Sequence, residues 1–277
     1  VFDTISAQCA KSKTDLNITL AAYLEHRFKA SSVNICQTQP LSMMSVDKMT
    51  VELKKEALKT KPKRTTHIIP IPLPLRDQTK RDLDNAIKMG ILENVSGKRN
   101  HDLWLGPMIV VPKKDNSPRR VIDFSLLNKY CKRSAEATLD TNRMATAIPV
   151  PDEGQEIFFS CLDAWNGHHS IPLDESAKNF FGFLTEFGTY KYNVAPQGFL
   201  GSGDHYVAQY NGIMQKLFEE EKHDANSVFK CFTDKTEGLD WSKPSWRRCI
   251  DDTLIWSQRV EQSFLQCTRY ILSLIQI

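Results

Sequence analysis

Residues 249–256 read Cys-Ile-Asp-Asp-Thr-Leu-Ile-Trp, so two adjacent acidic residues, Asp251 and Asp252, lie between two short apolar stretches. These apolar stretches predict two short strands with the carboxylates at the turn between them. Neighbouring carboxylates repel each other, and partial burial raises the free-energy cost of keeping both charged. The pair is therefore either an exposed turn, where Asp is common, or a site for a divalent metal ion whose charge offsets that cost.

A third carboxylate, Asp163, follows the apolar run Ile157–Leu162, which predicts a buried strand that ends in an acidic side chain. Carboxylate oxygens are hard ligands that suit Mg²⁺ or Mn²⁺. Two such ions about 4 Å apart would activate a hydroxyl nucleophile and neutralise a leaving pyrophosphate. Three acidic residues alone also fit an unrelated magnesium-dependent phosphotransferase.

The overall composition is that of a soluble globular protein, with 277 residues, 41% of them hydrophobic and 25% charged. No apolar run approaches the roughly 20 residues of a membrane span, and no signal peptide opens the chain, so no membrane partner is expected. Seven dispersed cysteines favour free thiols over a disulfide framework or a zinc site. The start at Val1 rather than Met suggests a piece of a longer polyprotein.

Basic residues are concentrated in two clusters, although 36 basic and 33 acidic residues give a net charge of only +3. One cluster lies on a predicted hairpin, with strands at Met108–Pro112 and Arg119–Phe124, and is either a solvated tip or a phosphate-binding element. The other is interpreted as a solvated linker. The first cluster contains Lys113, Lys114, Arg119 and Arg120, and the second contains Lys54, Lys55, Lys59, Lys61, Lys63 and Arg64.

The remaining patterns alternate between strands and helices. A helix is predicted over Arg76–Met89, a hairpin over Phe180–Leu184 and Thr189–Asn193, and a longer helix from about Asp204 to Glu220. A last amphipathic helix is predicted to carry Val260, Phe264, Cys267 and Ile271 on its apolar face. This mixture of hairpins and helices predicts an α+β fold.

Seven segments in a fixed order resemble the reverse transcriptases of gypsy-type LTR retrotransposons and, more distantly, those of retroviruses. The likeness covers about Thr65 to Ile271. The segments are Gly90–Glu93, Pro107–Asp115, Arg119–Phe124 with Leu127-Asn128-Lys129, Leu162–Gly167, Phe187–Tyr190, Ala195–Phe199 and Cys249–Asp252.

The resemblance implies the right-hand polymerase fold, in which fingers are joined to a palm whose antiparallel sheet is backed by helices. We expect no thumb, because the chain ends shortly after the helix that follows the Asp251-Asp252 hairpin. The predicted division is an N-terminal linker region at 1–64, fingers at 65–133 and 171–204, and palm at 134–170 and 205–277, with an insertion at 226–242.

The resemblance also implies roles for individual residues. Asp163, Asp251 and Asp252 would be the catalytic carboxylates that bind two Mg²⁺ ions, with Mn²⁺ as a substitute, and the backbone carbonyl of Ala164 or Leu162 would be an extra ligand. Lys113 and Arg119 would hold the triphosphate of the incoming nucleotide, Asn166 and Gly167 would line its sugar pocket, and Gln197 would lie over its sugar or base.

Two positions depart from the family pattern. His168 stands where the family usually has an aromatic residue that blocks the ribose 2′-hydroxyl, so we expect weaker discrimination against ribonucleotides. Cys249 stands where a Tyr is common.

The function implied is an RNA-directed DNA polymerase that adds deoxynucleotides to a primer 3′-hydroxyl. Its partners would be an RNA or DNA template with primer and deoxynucleoside triphosphates. The family implies cytoplasmic retroelement particles, or the nucleus, as its location. The alternative is a catalytically silent, degenerate reverse transcriptase that at most binds nucleic acid.

Overall fold

The computed structural model describes most of the middle of the chain and shorter stretches towards its end. The chain divides into two compact units. One comprises Cys36–Ala137 and Asn166–Gln209; we call it the five-stranded unit. The other comprises Val1–Ile35, Thr138–Trp165 and Tyr210–Ile277 and is the three-stranded unit. The described residues are 22, 40–57, 62–99, 101–133, 145–146, 148, 150–164, 166–223, 246–249, 251–258, 263–264, 266–268 and 270–271.

Three α-helices and eight strands have described bounds, and a further helix is described in part at 263–264, 266–268 and 270–271. None of the described helices combines the length and apolar character needed to cross a bilayer. In chain order the elements are α1 (Leu73–Lys88), β1 (Leu92–Asn94), β2 (Leu105–Pro112), β3 (Pro118–Ile122), α2 (Ser125–Tyr130), β4 (Phe158–Asp163), β5 (Gly182–Thr185), β6 (Gly188–Tyr192), α3 (Leu200–His223), β7 (Trp246–Cys249) and β8 (Asp252–Ser257).

The five-stranded sheet has the order β1-β6-β5-β2-β3. Strands β2 and β3 form the predicted basic hairpin, with Val111 opposite Arg119, and β5 and β6 form the second predicted hairpin. The pairing of β2 with β5 is parallel, whereas the other pairings are antiparallel. Both hairpin predictions are confirmed.

Helix α1 starts three residues earlier than predicted. Proline is favoured in the first helical turn because its missing N–H has no partner there, and here Pro74 occupies that turn. The helix ends at Lys88 with Met89 as its C-cap, and Gly90 follows with a φ of +77°, a conformation that glycine adopts without strain. Leu83 on its inner face is fully buried.

Residues 40–57, which the sequence analysis placed in a linker region, pack onto the five-stranded unit. Met49 is buried and its N–H donates to the carbonyl of Pro172 at 2.9 Å. The N–H of Lys54 donates to the carbonyl of Tyr130 at 2.8 Å. The linker interpretation is therefore wrong for these residues, since tertiary hydrogen bonds hold a segment whose composition alone looks solvated.

The three-stranded sheet has the order β4-β8-β7, and β7 and β8 form the predicted hairpin around Asp251. Strand β4 is not the buried strand that its apolar run predicted, because it lies at an edge of this sheet with one face towards solvent. Its residues alternate between half-buried and exposed, and the Phe159 side chain is 53% exposed. The described part of the last helix confirms its prediction, with Phe264 and Cys267 buried.

The division into fingers and palm and its boundaries stay a prediction, and the proposed insertion at 226–242 lies outside the described residues.

Replacing Gly106 in β2 by alanine is expected to lower the free energy of unfolding by about 2 kcal/mol. An added Cβ would lie 2.5 Å from the backbone oxygen of Asp123, so the backbone would have to shift. Gly212→Ala in α3 is the matched control, because nothing lies within 4 Å of its added Cβ and alanine favours a helix. Urea unfolding of both variants checks this, and equal stability in both would contradict it.

Candidate active site

The three predicted catalytic carboxylates lie at one end of the three-stranded sheet. Asp163, the last residue of β4, is directly opposite Asp252, the first residue of β8. Asp251 lies in the turn between β7 and β8, and its carbonyl accepts a hydrogen bond from the N–H of Ala164 at 3.1 Å. Residues that are nearly 90 positions apart are thus brought together by the pairing of two strands.

The electrostatics of this group favour a bound cation. Burial, followed by the nearby charges of Asp252 and Asp251, raises the pKa of Asp163 above its ordinary value. A divalent ion would offset both causes, and carboxylate oxygens are the ligands that Mg²⁺ prefers. Among the residues that the structure describes, however, no three His, Cys, Asp or Glu side chains form a group that could hold a metal ion. The fit of this group to Mg²⁺ therefore rests on the chemistry of its carboxylate donors.

A buried hydroxyl network lies on the opposite face of β8 from Asp252. The hydroxyl groups of Thr253 and Tyr270 are 2.6 Å apart, and the hydroxyl of Tyr210 donates to that of Tyr270 at 2.5 Å. The guanidinium carbon of Arg248 lies 3.4 Å from the centroid of the Tyr210 ring. The network ties the strand that carries Asp252 to two helices. The network could not be predicted from the sequence, because no motif or periodicity links these residues.

Lys113 and Arg119 lie at the turn end of the β2–β3 hairpin in the five-stranded unit. The turn is closed by a hydrogen bond from the N–H of Lys113 to the carbonyl of Ser117 at 2.8 Å. Both basic side chains are exposed, and within the described part of the chain neither forms a salt bridge. Asp115 lies in the same turn, where hydrogen bonds from Ser117 and then the nearby positive charge of Lys113 lower the pKa of the Asp115 carboxyl. The two exposed basic side chains leave net positive charge at this end of the hairpin, which is the kind of charge that attracts a phosphate group.

Asn166, Gly167 and His168 form a tight turn in the same unit. Asn166 has a φ of +57°, which asparagine tolerates better than most residues, and its carbonyl accepts from the N–H of Ser170 at 3.1 Å. The imidazole of His168 stacks on the ring of Tyr206, with centroids 5.2 Å apart and planes at 24°. The stack on the buried Tyr206 ring holds the imidazole of His168 in one orientation.

Gln197 is exposed and precedes Gly198, whose φ of +90° favours glycine. The predicted site residues thus fall into two groups. The three-stranded unit holds Asp163, Ala164, Asp251 and Asp252, and the five-stranded unit holds Lys113, Arg119, Asn166, Gly167, His168 and Gln197.

Sequence comparison relates the chain to transposon polyproteins. It is 28% identical over 189 residues to the retrovirus-related Pol polyprotein from transposon 412 of Drosophila melanogaster, covering 62% of this chain and 14% of that protein. It is 24% identical over 150 residues to the Tf2-3 transposon polyprotein of Schizosaccharomyces pombe, covering 54% of this chain and 10% of that protein. No family model matches the chain.

Structural comparison gives the fold. The foamy viral protease-reverse transcriptase in complex with an RNA/DNA hybrid superposes with a TM-score of 0.66 at 15% identity, covering 99% of this chain and 31% of that one. The same viral protein in complex with double-stranded DNA gives a TM-score of 0.64 at 15% identity, with 99% and 41% covered. The chain is thus similar in sequence to Pol polyproteins from transposons, and it has a reverse transcriptase fold. The predicted α+β polymerase fold is confirmed.

The reverse transcriptase fold of this chain also contains an ionisable residue that no predicted role uses. His169 follows His168, its Nδ1 atom is buried without a described hydrogen-bond partner, and its ring lies 5.8 Å from that of Tyr192. Burial, followed by the nearby His168 and the positive charge of Arg120, lowers the pKa of His169 from 6.5 to about 4. The folded protein therefore holds this imidazole neutral.

His169 should make the protein less stable as the pH falls from 6.5 towards 4. In that window the unfolded chain binds a proton at this imidazole and the folded chain does not, so the free energy of unfolding should fall by about 2 kcal/mol between pH 7.5 and 5. Urea unfolding of the native chain and of His169→Gln at both pH values tests this. The variant should lose most of this pH dependence, and an unchanged pH dependence would show that other groups cause it.

Proposed function

We propose that this chain carries the catalytic part of an RNA-directed DNA polymerase, which adds deoxynucleotides to the 3′-hydroxyl of a primer. The observation that supports this most directly is the pairing of Asp163 with Asp252 beside Asp251, at one end of an antiparallel sheet. A reverse transcriptase fold and relatives among transposon Pol polyproteins support the same reaction class. The chain spans only 14% and 10% of the two relatives compared, so their full activities are not carried over.

In this proposal Asp163, Asp251 and Asp252 would hold the metal ions, for which Mg²⁺ suits the oxygen ligands and Mn²⁺ would substitute. When bound, two such ions supply activation of the primer hydroxyl and neutralisation of the pyrophosphate. The backbone of Ala164 contributes by holding the Asp251 turn through its N–H, which fixes that turn against the end of β4. The hydroxyl network under Thr253 keeps the neighbouring Asp252 in register.

The five-stranded unit would bind the incoming deoxynucleoside triphosphate. Phosphoryl transfer depends on positioning and positive charge, and the exposed pair Lys113 and Arg119 provides that charge for the triphosphate. Asn166, Gly167 and His168 would line the sugar pocket, and Gln197 would lie over the sugar or base. The template and primer would be RNA or DNA; the structurally similar foamy viral protein has been solved with an RNA/DNA hybrid and with double-stranded DNA.

Asp251→Asn should abolish primer extension on an RNA template, because it removes one negative charge from the metal-binding group while keeping the size of the side chain. We expect a loss of at least about 100-fold in rate, in Mg²⁺ and in Mn²⁺, measured with labelled deoxynucleotides. Asp152→Asn is the matched control, since Asp152 is an exposed carboxylate of the same unit and has no predicted role.

Equal extension by the native chain and Asp251→Asn would remove this carboxylate from the chemistry. No extension by a native chain that unfolds cooperatively would favour the alternative, a catalytically silent relative, and template–primer binding would then show whether it still binds nucleic acid.

His168→Tyr should raise the preference for deoxynucleotides over ribonucleotides by about tenfold, because a larger ring at the sugar pocket excludes the 2′-hydroxyl. The measurement is the ratio of kcat/KM for the two nucleotide classes in the native chain and the variant. His101→Tyr, at an exposed site of the same unit, controls for the new side chain. An unchanged ratio in His168→Tyr would show that His168 does not contact the sugar.

A further inference from the structure

Asn128 belongs to the Leu127-Asn128-Lys129 segment, and the resemblance implies no role for it. It lies on α2, and its side-chain amide makes two hydrogen bonds to a distant loop. The Nδ2 group donates to the carbonyl of Gly198 at 3.2 Å, and Oδ1 accepts from the N–H of Leu200 at 3.2 Å. A carbonyl only accepts and a backbone N–H only donates, so this pair of partners fixes the orientation of the amide.

The loop that Asn128 holds is the one that carries Gln197. Gly198 has a φ of +90°, and a Cβ at this position would lie 3.4 Å from the carbonyl oxygen of Ile122. The loop therefore passes close to the junction between β3 and α2. Leu200 is the first residue of α3, where a backbone N–H has no partner within its own helix. Asn128 supplies that partner from another helix.

The junction that supports Asn128 is itself well anchored. The carboxylate of Asp123 accepts from the N–H of Ser125 at 2.8 Å at the start of α2, and Phe124 and Leu127 are buried. Strand β3, which leads into this junction, carries Arg119. One corner of the five-stranded unit thus connects to two of the residues proposed to bind the nucleotide, to Arg119 through β3 and to Gln197 through Asn128.

We infer that Asn128 is a positioning residue that holds the Gln197 loop in one conformation and thereby sets the affinity for the incoming nucleotide. The two hydrogen bonds bracket the loop, one at the residue after Gln197 and one at the start of α3. Without these two hydrogen bonds, the backbone around Gln197 would sample other conformations. Nucleotide binding would then have to order this loop each time, which lowers the affinity. The consequence for affinity rests on the proposed function, whereas the hold on the loop does not.

Amide hydrogen exchange of the whole chain tests the hold on the loop without any activity. Asn128→Ala should speed exchange at the Leu200 amide about tenfold, since it removes the acceptor of that N–H. Asn128→Asp keeps an acceptor and should retain the Leu200 protection. Asn179→Ala, at an exposed position of the same unit whose contact with Trp104 is made by its backbone carbonyl, should change nothing there. Unchanged Leu200 exchange in Asn128→Ala would overturn the inference.

Steady-state primer extension tests the consequence. Asn128→Asp loses the donor to Gly198, so the KM for deoxynucleotide should rise roughly fivefold to tenfold while kcat changes by less than about twofold. In a Gln197→Ala background the same substitution should raise KM no further, because it acts through Gln197. A fall in kcat with unchanged KM would overturn the link from Asn128 to nucleotide affinity. An equal rise in KM with and without Gln197 would do the same, and Asn128 would then be only a structural residue.

The two experiments separate the inference from the proposed function. A native chain with no extension would count against the polymerase, while the exchange of the Leu200 amide would still decide whether Asn128 holds the loop. Faster exchange in Asn128→Ala with active enzyme and unchanged KM would keep the polymerase and remove the link from Asn128 to nucleotide affinity.

Discussion

The antiparallel register between β4 and β8 is the constraint on which the carboxylate group depends. It places Asp163 opposite Asp252, and the hairpin of β7 and β8 adds Asp251 at the same end. A slip of one residue in this register would move every side chain of β8 to the other face of the sheet. Asp252 would then point towards the packed side and Thr253 away from it, and the acidic group would not form.

The packed face of β8 supplies the force that holds this register. Thr253 and Ile255 are buried on that face, and the hydroxyl of Thr253 meets that of Tyr270. Burying hydroxyl groups is costly unless they are hydrogen-bonded, so this network favours only the register in which its members meet. The carboxylates on one face of the sheet therefore depend on the hydrogen-bonded hydroxyl groups on its other face.

In the five-stranded unit, residues of proposed function are also exposed and depend on neighbours for their position. Arg119 and Gln197 are exposed, whereas the half-buried Asn128 makes hydrogen bonds to the loop that follows Gln197. The segment 40–57 is also part of this unit, through backbone hydrogen bonds to residues far along the chain, among them Tyr130 and Pro172. The roles of individual side chains in nucleotide binding stay predictions, and they rest on this framework.

The sequence by itself determined the hairpins, the α+β polymerase fold class and the similarity to transposon Pol proteins. Alternating apolar residues and turn residues act over a few positions, which is why the hairpins around Asp251 and Lys113 could be predicted. Only the tertiary structure decided that β4 is an exposed edge strand, that Met49 packs into the unit, and that Asn128 holds a loop 70 residues away. Contacts of that kind depend on how separate elements pack together, and no local pattern encodes them.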